Sequence, residues 1–295
     1  MWRLRNDIGW SCAWVKRQCR HKCYDQLVNK LLQYIEYRPK HQYKFVIRGS
    51  KSLIYDCAPH AVSSRNEYLG KKGWNLPMPD YTAMRQNMVD GQVLPNQIKH
   101  KALIGALADT PREVFVEGDQ KGYVYSDRDI QLGAERFLIS VRVFAGLVEG
   151  LSPSTEDVAL DVGCGTGYGT VILSKLCGMV VGIEDDSGLV GRASALLTEL
   201  EVDNAVAVQG PLGGGFQKEA PYNVILVEGA LPQVPQKIVE QLANGGRMAV
   251  VLNKGRGLYE AILITRVRDS FGSRVLFNSA VPSLPGFSAT SVFAF

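Results

Sequence analysis

The stretch VALDVGCGTGY, residues 158–168, decides the fold class of this chain. A short apolar run there passes directly into a loop with Gly163, Gly165 and Gly167, and an apolar helix start follows at residues 171–176. Glycine has no Cβ, so such a loop can turn tightly and let its backbone approach a ligand closely. A helix that begins behind the loop points the positive end of its dipole at the same place. The pattern predicts a strand, a glycine loop and a helix that together bind a nucleotide-like ligand.

The residues around the loop decide between two kinds of cofactor. The dinucleotide fingerprint G-x-G-x-x-G is incomplete, because Tyr168 and Thr170 occupy the places where a third glycine or alanine would stand. The next apolar run ends at Glu184, whose carboxylate can accept hydrogen bonds from both hydroxyls of a ribose. Asp161 can hold the loop amides or face a charged part of the ligand. This order of residues resembles the class I S-adenosylmethionine-dependent methyltransferases.

Charge divides the chain into two unlike segments. Residues 1–80 contain 15 Lys and Arg against 6 Asp and Glu, whereas residues 81–295 contain 18 against 23. All four histidines lie at or before position 100, so a Ser-His-Asp relay or a Cys/His zinc site is excluded near the glycine loop. We predict a basic, poorly ordered N-terminal extension at residues 1–77 and a methyltransferase domain at residues 78–295.

The N-terminal segment leaves other readings open. Its basic charge is compatible with nucleic-acid binding, but we expect no nucleic-acid partner. Cys12, Cys19, His21 and Cys23 match no compact zinc pattern, so no metal is predicted. No apolar run is long enough to cross a bilayer, and the N-terminus lacks the apolar core of a signal peptide. We therefore expect a cytoplasmic protein that does not enter a membrane. Its oligomeric state does not follow from the sequence.

From residue 102 onward, helical and strand patterns alternate. Helices are predicted at residues 101–108, 137–148, 188–200 and 234–243, the last because Asn244 and Gly245 form a stop signal. Strands are predicted at residues 158–162, 179–183, 205–208, 223–227, 248–252, 261–267 and 291–295. The continuous apolar strands are typical of a parallel sheet that is covered on both faces. The predicted fold is a three-layer α/β Rossmann-like methyltransferase sheet, mostly parallel, with antiparallel strands near the C-terminus.

Four further segments are more specific than the glycine loop. They are MVDGQVLPN from Met88, TPREVFV at residues 110–116, YSDRDIQLG at residues 125–133 and APYNVILVEGA at residues 220–230. In this order they resemble the protein-L-isoaspartate O-methyltransferase family, over about residues 78–295. The resemblance implies methyl transfer from S-adenosyl-L-methionine to the carboxylate of an isoaspartyl residue. The implied partners are damaged proteins or peptides that contain isoaspartate.

The resemblance also implies roles for individual residues. The three loop glycines would support the methionine part of the cofactor, Glu184 would accept from the ribose, and Leu138 would line the cofactor. The full set of candidate cofactor residues is Leu138, Asp161, Gly163, Gly165, Gly167, Tyr168, Glu184 and Gly210. Ser140 and Glu228 are the candidate catalytic residues, with Glu228 at the end of a strand on the cofactor side. An ordinary surface ion pair between Arg142 and Glu228 is the alternative.

Two departures from the family pattern concern the substrate and the adenine. The family's T-I-S-Q-P segment, whose hydroxyls help to hold the substrate, is replaced by residues 137–141, FLISV, with Ile139 at the serine position. Pro211 follows Gly210 where the family has an aspartate that meets the adenine amino group, and proline offers neither a side-chain acceptor nor an amide donor. These departures favour an alternative function: a cofactor-binding, methyltransferase-like protein that has lost or changed its isoaspartyl activity.

Overall fold

The structure, a computed structural model, describes residues 79–133 and 135–287, together with the backbone of two short strands near the N-terminus. Contacts within the chain divide it into two units, Met1–Pro77 and Met78–Phe295. The described part of the first unit is an antiparallel hairpin of β1 (Phe45–Ile47) and β2 (Leu53–Tyr55). The rest of the predicted N-terminal extension, including its cysteines, lies outside the described residues, so those expectations stay predictions.

The second unit contains a small hairpin and a seven-stranded sheet. The hairpin pairs β3 (Ile130–Gly133) with β4 (Arg136–Leu138). The sheet strands are β5 (Val158–Val162), β6 (Met179–Glu184), β7 (Ala205–Gln209), β8 (Tyr222–Leu231), β9 (Leu242–Asn253), β10 (Tyr259–Val267) and β11 (Ser270–Phe277). Their order is β11-β10-β9-β8-β5-β6-β7. The pairs from β9 to β7 are parallel, whereas β9 with β10 and β10 with β11 are antiparallel. The predicted fold class is confirmed.

Helices connect and cover these strands. They are α1 (Tyr81–Met88), α2 (Lys101–Asp109), α3 (Val141–Leu151), α4 (Tyr168–Ser174), α5 (Ser187–Glu199) and α6 (Gln236–Val239). Short 3-10 turns at Arg112–Phe115 and Gly118–Gly122 lead from α2 towards the hairpin. Asp186 caps α5, because its Oδ1 accepts from the backbone N–H groups of Gly188 and Leu189 at 2.8 and 3.0 Å. Among the described residues, no helix is both long and apolar enough to cross a membrane.

Two apolar clusters cover opposite faces of the sheet. Alternate residues of β5 divide between them, since Ala159 packs in one cluster and Leu160 in the other. The first cluster includes apolar residues of α2, α3, α4 and α5, and the second includes those of α6 and Leu284. By the same alternation, Asp161 at the end of β5 and Glu228 near the end of β8 point to the face covered by α3 and α4. The fold therefore brings two carboxyl groups to one side of the glycine loop.

Two predicted elements differ from the structure, and a third falls where the structure describes no residues. The helix predicted at residues 137–148 is β4 followed by α3, which begins at Val141. The helix predicted at residues 234–243 is only the short α6, because residues from Leu242 onward pair with β8, and the register shift of this pair falls between Leu242 and Arg247. The stop signal at Asn244 and Gly245 therefore marks an irregularity inside a strand. The strand predicted at residues 291–295 lies outside the described residues.

Candidate active site

The glycine loop connects β5 to α4. Gly163, Gly165 and Gly167 have φ angles of +78°, +55° and +90°, in the left-handed region that other residues rarely adopt. A Cβ atom on Gly163 would lie 2.7 Å from Leu284 Cδ1, and one on Gly165 would lie 2.8 Å from Leu132 Cδ1. Both the backbone conformation of the loop and the closeness of neighbouring side chains therefore favour glycine at these positions.

Glu184 ends β6 beside this loop and is fully buried. Its Oε2 accepts from the backbone N–H of Gly165 at 3.0 Å, and its Oε1 accepts from Arg136 Nε at 2.9 Å and from the N–H of Asp185 at 2.8 Å. Arg136 also forms an ion pair with the Asp185 carboxylate. Burial raises the pKa of Glu184, and the Arg136 guanidinium opposes that shift. The predicted ribose-binding carboxylate is therefore held in place by the loop on one oxygen and by an arginine on the other.

Asp161 and Glu228 form a second buried acidic group. Asp161 Oδ2 accepts from Thr170 Oγ1 at 2.7 Å. Asp161 lies opposite Leu226 in the pairing of β5 with β8, and Glu228 follows two residues later on the same face of the sheet. Neither Asp161 Oδ1 nor Glu228 Oε1 receives a hydrogen from a donor group. Burial raises the pKa of Asp161 to about 6, and burial together with the Asp161 charge raises the pKa of Glu228 well above its ordinary range. Glu228, which the sequence analysis names as a candidate catalytic residue, is therefore a carboxyl group that can hold a proton.

Arg112 lies beside this pair and is also fully buried. Its NH2 group donates to the backbone oxygen of Ile139 at 2.6 Å, and its Nε donates to that of Val124 at 3.2 Å. The guanidinium carbon stands 4.5 Å from the centre of the Tyr168 ring, which also packs against Phe115 and Phe144. Arg112 therefore joins the segment after β4 to the first turn of α4.

The segment at residues 137–141 divides between a cavity and the core. Leu138 and Ile139 are buried among apolar residues, whereas Phe137 lines a cavity of about 500 Å³. Ser140 precedes α3, and its backbone N–H donates to Asp129 Oδ1 at 2.8 Å. The cavity is also lined by Glu135, Pro232, Asn253, Pro282, Ser283, Leu284, Pro285 and Phe287. Its wall thus combines apolar and polar side chains, and it adjoins the glycine loop through Leu284.

Two more predicted positions can be placed. Gly210 follows β7, and its N–H donates to the backbone oxygen of Glu184 at 3.0 Å, while the exposed Pro211 begins a 3-10 turn. Arg142 forms its ion pair with Asp127, with 3.0 Å between Arg142 Nε and Asp127 Oδ2. The alternative of an ordinary surface pair between Arg142 and Glu228 is wrong, because β8 turns the Glu228 side chain inward towards Asp161.

Comparison with known proteins agrees with this arrangement. Residues 84–274 match the family model of protein-L-isoaspartate(D-aspartate) O-methyltransferase. The chain belongs to this family. A protein-L-isoaspartate O-methyltransferase from Methanoregula boonei is 32% identical over 62% of this chain and 83% of its own length. One from Roseiflexus castenholzii is 31% identical over 72% of this chain and 97% of its own length.

A solved structure extends the comparison to the fold. It is a Plasmodium falciparum protein described as a protein-L-isoaspartate O-methyltransferase, in complex with S-adenosyl-L-homocysteine. It is 16% identical to this chain, covers 71% of it and 100% of its own length, and superposes with a TM-score of 0.59. At this identity the likeness shows that the two proteins share the isoaspartate O-methyltransferase fold.

Sequence reasoning missed three residues of the site in this family member. Arg112 lies in the TPREVFV segment, but nothing in the sequence pairs it with Ile139, which is 27 positions later. Arg136 and Leu284 reach Glu184 and Gly163 from positions far away in the chain. A basic residue directly before an apolar run, as with Arg136 before Phe137 and Leu138, is the one local signal of a buried ion pair.

Gly169 provides a test of how closely Glu228 is packed. A Cβ atom on Gly169 would overlap Glu228 Oε1 and lie 3.1 Å from Phe144 Cε2. Gly169→Ala is therefore expected to lower the free energy of unfolding by about 1–3 kcal/mol, as overpacking of a core does. Gly105→Ala in α2 is the matched control, since nothing lies within 4 Å of its Cβ position and alanine should stabilise a helix by roughly 0.5–1 kcal/mol. Urea denaturation measures both, and a stabilising Gly169→Ala would contradict this packing.

Proposed function

We propose that this chain is an S-adenosyl-L-methionine-dependent O-methyltransferase that methylates the free carboxylate of isoaspartyl residues in damaged proteins and peptides. The observation that carries the proposal is the family match over residues 84–274, together with a glycine loop that ends beside the buried Glu184. The relatives that match over most of their own length bear the name of this activity.

The residues around the loop fit this cofactor. The three loop glycines leave no room for side chains, and Glu184 Oε2 accepts one hydrogen bond, from Gly165, so that a ribose hydroxyl can still donate to it. The carboxyl groups of Asp161, Glu228 and Glu184 suit a ligand that carries positive charge. When it is bound, the sulfonium supplies an activated methyl group with its own leaving group.

The proposed reaction asks little of the protein's side chains. An isoaspartyl carboxylate is already ionised at neutral pH, so no general base is required to make it a nucleophile. The contribution of the chain is alignment and the exclusion of water at the cavity beside Phe137. This agrees with a domain in which residues 101–295 contain no histidine.

A direct assay tests the proposal. The full chain is incubated with an isoaspartyl peptide and S-adenosylmethionine that carries a labelled methyl group, and the base-labile methyl ester is counted. We expect label in the isoaspartyl peptide and none in the same peptide with ordinary aspartate. A folded protein that transfers no label to isoaspartyl peptides would contradict the proposal.

A second candidate function is a cofactor-binding protein that has lost or changed isoaspartyl activity. It is favoured by Ile139, which is buried, and by Phe137, which presents a ring to the cavity at a position where the family has a hydroxyl. Pro211 also lacks the side-chain acceptor for the adenine amino group, which weakens the free energy of cofactor binding by about 0.5–1.5 kcal/mol. Calorimetry separates the two candidates, since binding of S-adenosylhomocysteine without methylation of isoaspartyl peptides would support the second.

A further inference from the structure

Asp161 and Glu228 form a buried carboxyl pair that neither the fold nor the transfer of a methyl group to a carboxylate requires. Glu228 is 5% exposed and Asp161 is fully buried. Each has one oxygen without a donor. The pairing of β5 with β8 sets Asp161 opposite Leu226, so Glu228, two residues further along β8, lies next to Asp161 on the same face of the sheet. Two carboxylates so close together cannot both stay ionised in a buried place, whereas one proton between them satisfies both. Burial and this closeness favour one proton shared between the two carboxyl groups.

The groups that face the pair come from several elements. Thr170 of α4 donates to Asp161, and the Arg112 guanidinium, from the turn after α2, partly offsets the negative charge of Glu228. Glu184 of β6 adds negative charge, and so do the ionised forms of Cys164 and Tyr168, whose pKa values burial raises. Arg85 of α1 acts on Tyr168 from farther away. Apart from Arg112 and Arg85, each of these titratable neighbours thus carries either a negative charge or no charge.

The buried groups beside the glycine loop carry an excess of negative charge that one bound cation would offset. Arg136 is engaged by Glu184 and Asp185, so Arg112 is the described cation that faces the Asp161–Glu228 pair. Four carboxyl groups then face two guanidinium groups, and a shared proton leaves one net negative charge. If a cation enters and the proton leaves, the net charge of this buried region does not change. Keeping the net charge constant avoids the cost of adding charge to a place with little water.

Building on the proposed function, we propose that the Asp161–Glu228 pair releases its shared proton to solvent when the sulfonium form of the cofactor binds, and keeps it when the neutral thioether product binds. The proton moves from the carboxyl pair to the buffer, and no other bond forms or breaks. Glu228 is then a residue that distinguishes the charged methyl donor from S-adenosylhomocysteine. It does so through the protonation of the pair, without direct participation in methyl transfer.

The sign of the pH dependence follows from this exchange. A ligand that binds with the release of one proton gains affinity as the pH rises, by up to about tenfold per pH unit, until the free pair has lost its proton by itself. Affinity for S-adenosylhomocysteine lacks this dependence. The ratio of the two dissociation constants should therefore move in favour of S-adenosylmethionine as the pH is raised through the neutral range.

Isothermal titration calorimetry of the full chain counts the protons directly. The binding enthalpy of each ligand is measured at one pH in buffers of different ionisation enthalpy, and the slope gives the number of protons released. We expect up to about one proton with S-adenosylmethionine and close to none with S-adenosylhomocysteine. The α-amino groups of the ligands titrate near this pH range, so the variants below provide the reference.

Glu228→Gln tests whether the pair is the source of the proton. A glutamine amide can donate to Asp161 as the protonated Glu228 does, and it cannot release a proton. We expect this variant to bind both ligands with the same number of protons released, and with a ratio of affinities that no longer depends on pH. The double variant Asp161→Asn/Glu228→Gln, which leaves no carboxyl group in the pair, is a second variant with the same expectation. Glu199→Gln, on the exposed face of α5, is the matched control and should behave as the wild type.

The outcomes separate this inference from the proposed function. If both ligands bind the wild-type protein with equal proton release, or if the single and double variants keep the wild-type difference, this inference is wrong and cofactor binding stands. If neither ligand binds the folded wild-type protein, both the inference and the proposed function are overturned. Thermal unfolding of each variant shows that the comparison is made between folded proteins.

Discussion

Gly163→Val is expected to weaken S-adenosylmethionine binding by at least about a hundredfold, or roughly 2.7 kcal/mol. Gly163 has a φ angle of +78°, which a β-branched residue adopts only with strain, and its Cβ would lie 2.7 Å from Leu284 Cδ1. The valine must therefore move the loop, Leu284 or both. Either change alters the surface that we propose for the methionine part of the cofactor. Calorimetric titration measures the loss.

The matched control for this substitution is Gly191→Val. Gly191 lies in α5, has a helical conformation, and has nothing within 4 Å of its Cβ position. We expect this variant to bind the cofactor as the wild type does. Both variants should keep the circular dichroism of the folded sheet, because the apolar strands that build it are unchanged. If the Gly163 variant retained its affinity, the assignment of this loop to the cofactor would be wrong.

Arg112→Met is expected to lower the free energy of unfolding by about 3–5 kcal/mol, the usual cost of removing one partner from a buried charged network. The change removes the hydrogen bonds to the backbone oxygens of Ile139 and Val124 and the contact with the Tyr168 ring. It also leaves the Asp161–Glu228 pair without its facing cation. Urea denaturation gives the value, and the m-value should be unchanged if the compactness of both states is the same.

Two further variants make this result specific. Arg128→Met changes an exposed arginine in the neighbouring segment and should shift the free energy of unfolding by no more than about 0.5 kcal/mol. Arg112→Lys keeps the charge but has no planar group that can donate to both carbonyl oxygens, so we expect an intermediate loss. Equal stability of Arg112→Met and Arg128→Met would show that the hydrogen bonds of Arg112 have little energetic weight.

The parallel half of the sheet was predictable because its strands are short, continuous apolar runs separated by helical patterns. The strands at residues 158–162, 205–208, 223–227 and 248–252 all lie within observed strands. The prediction failed where the same apolar pattern is compatible with both a helix and a strand. The apolar residues 234–243 have a helical pattern, but Leu242 and Ala243 belong to β9, because pairing with β8 outweighs helical propensity. β11 was missed because its residues are largely exposed and show no apolar period.

The residues of the candidate site likewise divide into those that could be predicted from the sequence and those that could not. Asp161, the loop glycines and Glu184 could be found from sequence because a strand, a tight turn and the end of the next strand have fixed spacings. Arg112, Arg136 and Leu284 could not be found, because their contacts with Ile139, Glu184 and Gly163 connect parts of the chain that are far apart in sequence. Glu228 was placed near the site, and a surface pair with Arg142 was the alternative. Only the inward direction of β8 places Glu228 beside Asp161.

The sequence by itself determined the fold class, the family and the positions of the glycine loop and its carboxylates, because these depend on local spacing and on ordered motifs. The tertiary structure alone decided which charges meet. It buried Arg112 beside Tyr168, engaged Arg136 with Glu184, and set Asp161 and Glu228 on one face of two neighbouring strands. Spacing along a chain gives the direction of a side chain, but its charged partner is fixed only when strands and turns that are distant in sequence pack together.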